Sequence, residues 1–214
     1  ILSRMIEEVE RTLLEAHVPQ EEFAQVRIFL ADLFVSRGSC SDYLRARELY
    51  REIVEKSSVA ELRAKAMVGL AELSIGNPNR DDWDEGIKSC REAYNVLRQT
   101  PEDFFATKAQ VVLAELLMKK GELDDPTEAL EILNKVIESH FSSRYFKIRA
   151  AVGKSEIILY FFHGNAVDRI KELEKCLLLC TEALRLTQPR PKDYFSVKLK
   201  VILAEILLAL PDQQ

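Results

Sequence analysis

The chain has 214 residues, 47% apolar and 30% charged, with only seven glycines and seven prolines. That composition supports a core and excludes disorder, and so few breakers imply long uninterrupted elements. A net charge of −5, with basic residues interleaved among acids, excludes a broad nucleic-acid footprint, and no apolar run approaches the roughly 18 residues that span a bilayer.

Residues 1–16 carry a helical pattern that opens at Ile1 without a methionine, which reads as a piece of a longer protein. From there the chain alternates between two kinds of helix. Residues 20–57 hold "FLADLFVSRG" (29–38) and then "YLRARELYREIVE" (43–55). Residues 58–100 hold "GLAELSIG" (69–76) and "DEGIKSCREAYNVL" (84–97). Residues 101–141 hold "VLAELLMKKG" (112–121) and "PTEALEILNKVIE" (126–138), and residues 142–188 hold "GKSEIILYFFHG" (153–164) and "LEKCLLLCTEALRL" (173–186). Residues 189–210 end on "ILAEILLAL" (202–210).

The first segment of each unit, helix A, has a small residue before an acid and then Leu or Ile. The small residues are Ala31, Ala71, Ala114, Ser155 and Ala204, spaced by 40, 43, 41 and 49 residues. The second, helix B, has small residues at Ala46, Gly86, Ala129 and Cys176, followed four residues on by Tyr50, Cys90, Leu133 and Cys180. Three further come Ile53, Ala93, Val136 and Ala183. Positions i, i+4 and i+7 share one helical face. A period of this size marks a helical repeat array. Residues 1–16 read as a B helix without its A partner, and the last segment as an A helix without its B partner. Gly38, Gly76, Gly121 and Gly164 fall where a helix C-terminus wants a left-handed residue, and the prolines fall between helices or in first turns.

Helix pairs with small residues at fixed columns (Ala31 and Ala114 on helix A; Ala46, Ala93, Ala129 and Ala183 on helix B) and a loop glycine seven residues after the A-helix column (Gly38, Gly121) resemble the tetratricopeptide family. The loop "GSCSDYLRARELY" (38–50) is similar to its Sel1 variant, although units here run 40 residues or more rather than 34. The resemblance implies a single domain over 1–214, an all-α right-handed solenoid of about five helix-turn-helix repeats. It implies a concave face made mostly of A helices that binds a protein or peptide, and no enzymatic activity.

On that face lies a charge ladder. A polar or basic residue sits seven positions before each A-helix acid: Gln25/Asp32, Lys65/Glu72, Lys108/Glu115, Arg149/Glu156 and Lys198/Glu205. Between them runs an apolar column, Ile28, Val68, Val111, Val152 and Val201. The ladder has two readings: charges that pair between neighbouring A helices and keep the stack in register, or a groove that selects a partner. As a groove, the partner-binding residues are Lys65, Val68, Glu72, Lys108, Val111, Glu115, Arg149, Val152, Glu156, Lys198, Val201 and Glu205. The resemblance includes a subgroup that clamps C-terminal carboxylates with Lys and Asn, and a row of acids would repel such a ligand. Two further readings are a scaffold that contacts neighbours or a second copy through its terminal helices, with Ile6 and Leu207 as contact residues, and a regulatory domain of a larger protein.

Gly153-Lys154-Ser155 matches the tail of a phosphate-binding loop, but the first glycine of that motif would fall on Ile148, and the segment reads as helix. In the repeat frame Gly153 is a close-packing position. Cys176 and Cys180 could form half a zinc site, yet they fall in core columns, and His17, His140 and His163 are not at ligand spacing. No cofactor, metal or catalytic residue is expected. The four cysteines read as reduced, which suggests the cytoplasm, with the nucleus left open. The aromatic pairs at 104–105, 145–146 and 194–195 read as core packing. Trp83, among Asp81, Asp82 and Asp84, reads as a half-exposed contact point.

Overall fold

The computed structural model describes residues 1–15, 20–100, 103–123, 125–162, 164–187 and 193–211. Among these residues there are ten helices and no strand: α1 (Leu2–Glu15), α2 (Gln20–Arg37), α3 (Cys40–Lys56), α4 (Ala60–Ser74), α5 (Arg80–Leu97), α6 (Phe104–Lys120), α7 (Asp125–Glu138), α8 (Arg144–Tyr160), α9 (Ala166–Leu186) and α10 (Tyr194–Ala209). Even-numbered helices are the A type and odd-numbered the B type. Pro19, Pro101, Pro189, Pro191, His17 and His163 lie outside the described residues.

The helices start where side chains can satisfy their first backbone N–H groups. Ser39, Asn79, Ser143, Asn165 and Asp193 each accept from an amide two or three residues on. Such caps contribute roughly 1 kcal/mol each. At Ser39 the cap is reciprocal, because Asp42 accepts from the Ser39 amide while Ser39 accepts from that of Asp42. Asp42 also accepts from the Arg37 guanidinium, which holds its carboxyl well below the usual carboxylate range and ties the end of α2 to the start of α3.

Of the four cap glycines, two take the expected conformation: Gly38 has φ 80° and Gly121 has φ 65°. Gly76 and Gly164 do not. The α4 terminus closes through Ile75 in a right-handed conformation, and α8 closes through Phe161 at φ −122°, so neither turn needs a left-handed residue.

The chain divides into two units, Ile1–Leu113 and Ala114–Gln214, with the boundary inside α6. In the first unit α1 packs on α2, α2 on α3, α3 on α4, and α4 on α5, with α2 also touching α4. In the second, α7 packs on α8, α8 on α9 and α9 on α10, with α8 and α10 also in contact. Within each unit the stacking is therefore solenoid-like: α2, α4 and α8 each lie between two B helices, α2 lies beside α4, and α8 lies beside α10.

This explains the small-residue columns. An A helix between neighbours has few exposed sides, so Ala31, Ala71, Ala114 and Ser155 are buried. The B helices bury one stripe only, such as Ala46–Tyr50–Ile53 on α3 and Cys176–Cys180–Ala183 on α9. Ile6 is buried against α2 and α3 rather than offered as a contact residue, because α1 turns its apolar stripe inward.

Candidate functional site

The ladder residues come together, and the structure shows which of them pair. In the first unit the centre is Lys108. Its ammonium lies 2.9 Å from Glu72 and 3.0 Å from Asp32, joining α6 to both α4 and α2. Asp32 also accepts from the Tyr50 hydroxyl at 2.7 Å. Burial pulls the Lys108 ammonium down, but Glu72 and Asp32 together outweigh it and hold it above its ordinary value. Burial, and then the Asp32 charge, push the Tyr50 phenol well above its usual range.

Tyr50 reaches Asp32 only because α4 lets it pass. Gly69 lies directly against its ring, and a methyl group there would overlap three ring carbons. Lys65 occupies the base position of α4, yet it does not pair with Asp32. It reaches Glu61 on its own helix and Asp103 at 3.4 Å, near the start of α6. Tyr50 and Lys108 converge on Asp32 Oδ1 instead. Lys65 and Lys108 also lie 5.6 and 5.5 Å from the Phe105 ring centre.

In the second unit the rungs join neighbouring A helices. Arg149 of α8 donates from Nε and Nη2 to the two oxygens of Glu115, at 2.9 and 2.7 Å. Lys198 of α10 lies 2.8 Å from Glu156 of α8. Burial lowers the Lys198 pKa, but the hydrogen bond and charge of Glu156 raise it further, leaving it above its ordinary value. Each base therefore meets the acid of the preceding A helix. Glu205 accepts from the Tyr160 hydroxyl, whose pKa this bond pushes up to about 12. No described cation lies in salt-bridge range of Glu205.

The apolar column lies deeper than a groove requires. Val68, Val111 and Val152 are buried, because an A helix flanked on both sides turns that stripe into a neighbour; only Val201, on α10, is half exposed. The bases are buried as well: Lys65, Lys108 and Arg149 keep less than a tenth of their side-chain surface, while Glu115 keeps 25% and Asp32 29%. On these rungs the carboxylates are the open members; on the last rung Lys198 keeps 30% and Glu156 23%, so both charges stay partly exposed there.

The aromatic pairs divide rather than acting only as core. Phe146 is buried, and Phe105 and Phe195 are partly buried, but Phe104, Tyr145 and Tyr194 are exposed. Each exposed ring sits four residues before a ladder base and so on the same stripe: Phe104–Lys108, Tyr145–Arg149 and Tyr194–Lys198. In the second unit the cations of Arg149 and Lys198 sit 5.8 Å from the Tyr145 and Tyr194 ring centres. Tyr145 makes an edge contact with Phe195, and Phe195 with Tyr194. At the far end of the α8 stripe, four residues after Glu156, Tyr160 is also exposed. The i−4 spacing from each base was the signal for these rings.

Gly153, Lys154 and Ser155 lie within α8, where their amides belong to the helix. Leu133 fills the space beside Gly153, Lys154 donates to Asn134 at 2.8 Å, and Ser155 is buried 3.1 Å from the Cys180 sulfur. Burial pushes the Cys180 thiol up to about 11 and raises that of Cys176. A protonated thiol is a poor metal ligand and nucleophile, and no metal-binding cluster occurs among the described residues. Trp83 is partly buried and donates to the Asn77 carbonyl at 2.7 Å, which fixes the turn before α5. No helix among the described residues is long and apolar enough to cross a membrane. No protein-family model matches the sequence, and no curated protein matches it.

Proposed function

We propose that this chain is a tetratricopeptide-like interaction module that binds a peptide or protein on its A-helix face. The observation that carries the proposal is the exposed aromatic set Tyr145, Tyr160 and Tyr194, on the stripe that also holds the ladder charges. Large exposed rings beside fixed charges are the usual anchors of a recognition surface, combining buried area with charge selection.

The residues expected to touch the partner differ from the full ladder. Val152 is buried on α8 beneath this surface, and Val68 and Val111 are buried within the first unit. Arg149 fixes the register of the surface through Glu115. Contact falls to Tyr145, Tyr160, Tyr194 and Val201, with Glu115 and Glu205 as the accessible carboxylates; on the Lys198–Glu156 rung both charges are partly exposed. Those carboxylates select a partner with basic side chains.

The proposal is tested by selecting peptides from a random display library on the wild-type chain, with counter-selection on a Tyr145→Ala/Tyr194→Ala variant. Enrichment of Lys- or Arg-bearing peptides that lose binding to the variant is expected. A library that yields no binders, or binders indifferent to both substitutions, overturns the reading.

A further inference from the structure

The outward side of α10 is built like the covered side of α8, but no described residue covers it. The two helices align with an offset of 49 residues. On α8, Ile148, Ser155, Ile158 and Leu159 are buried, and α9 and α10 pack on that helix. The same columns on α10 are Val197, Ala204, Leu207 and Leu208. They keep the apolar or small character, yet Val197 is 52% exposed and Leu208 86%. Solvent-facing helix positions are usually polar, so this face is shaped for a neighbouring helix.

The ladder states the chemistry of that neighbour. At every paired rung, the acid of one A helix takes a cation from a later A helix: Glu72 from Lys108, Glu115 from Arg149, Glu156 from Lys198. Glu205 is in the same column, and its one described partner is the Tyr160 hydroxyl. A second copy of this chain would not complete the rung, because its first A helix carries Gln25 in the base column.

We infer that the open face of α10 docks a helical partner that brings a Lys or Arg side chain to Glu205, in the register by which Lys198 meets Glu156. Val197, Val201 and Leu208 supply the apolar contact, and the Glu205 pair sets the register. This surface shares Val201 and Glu205 with the recognition stripe but not Tyr145, so a Tyr145→Ala chain should keep this docking while losing the display-selected peptides.

The test uses a synthetic peptide of residues 165–210, which copies the helix pair that covers α8, titrated against the 214-residue chain by fluorescence anisotropy. The expectation is saturable binding that weakens about tenfold or more when the peptide carries Lys198→Glu. A Glu205→Lys chain should reverse the preference and favour the Glu-bearing peptide, and Glu205→Gln should bind both peptides alike. Absence of binding, or equal binding of both peptides to the wild-type chain, overturns the inference. So does concentration-dependent dimerisation of the chain in sedimentation that buries the α10 face and ignores Glu205→Lys.

Discussion

The charge ladder is wired differently in the two units. In the first, two carboxylates, Glu72 and Asp32, converge on one buried lysine, Lys108, and Tyr50 donates to Asp32 as well. In the second, Arg149 meets Glu115 and Lys198 meets Glu156, and among the described residues the last carboxylate, Glu205, meets a phenol instead of a cation. Sequence spacing is the same in both. The difference comes from the B-helix residue that meets the glycine: at Gly69 it is Tyr50, whose ring passes across α4. Gly153 holds the corresponding position on α8, but there Leu133 fills the gap. One column therefore makes a polar network in one unit and an apolar contact in the other.

Substitutions that break the comparison should differ sharply in size. The largest effect is expected at Lys108. Lys108→Ala leaves two carboxylates facing each other without their cation, and a loss of about 3–5 kcal/mol in urea denaturation is expected. Lys108→Met keeps the stem and should show whether charge or packing dominates.

Tyr50→Phe removes a bond to an ionised acceptor and should cost about 1.5–3 kcal/mol. It also carries a pH signature. The phenol is held protonated in the folded state, so its contribution is complete below the unfolded value of 10.0 and falls as pH rises toward the higher folded value. Wild-type stability should therefore drop above pH 10 more steeply than that of Tyr50→Phe. Gly69→Ala forces the ring and α4 apart and should cost about 1–3 kcal/mol, whereas Gly153→Ala meets only the movable end of Leu133 and should cost less. Glu205→Gln, at the open rung, should change stability by less than about 1 kcal/mol.

Much of the fold was legible in the sequence. The columns Ala31, Ala71, Ala114 and Ser155 follow from close packing, which admits only small side chains wherever an A helix has neighbours on both sides. The i, i+7 spacing puts each base and acid two turns apart on one helix, and Lys108, Arg149 and Lys198 each meet an acid of an earlier A helix. Partner choice was not legible, because it depends on distances between helices: nothing local says that Lys108, rather than Lys65, reaches Asp32. Burial of Val68, Val111 and Val152 was hidden for a related reason. An apolar column beside a charge row looks the same whether it faces a groove or the next helix, and only the exposed Val201 shows what the column looks like with one side uncovered. The left-handed glycines were half legible, since Gly76 and Gly164 sit in turns that close without a positive φ.

The central claim is that the ladder fixes A helix to A helix by specific pairing rather than by general surface charge. It is tested most directly by a charge-swap cycle at Arg149 and Glu115, the bidentate rung, read by urea denaturation. Arg149→Glu and Glu115→Arg alone should each destabilise the chain by about 2–4 kcal/mol, since each leaves a partly buried like-charge pair. The double variant should recover more than half of the summed loss. Losses that simply add, with no recovery, would contradict the account.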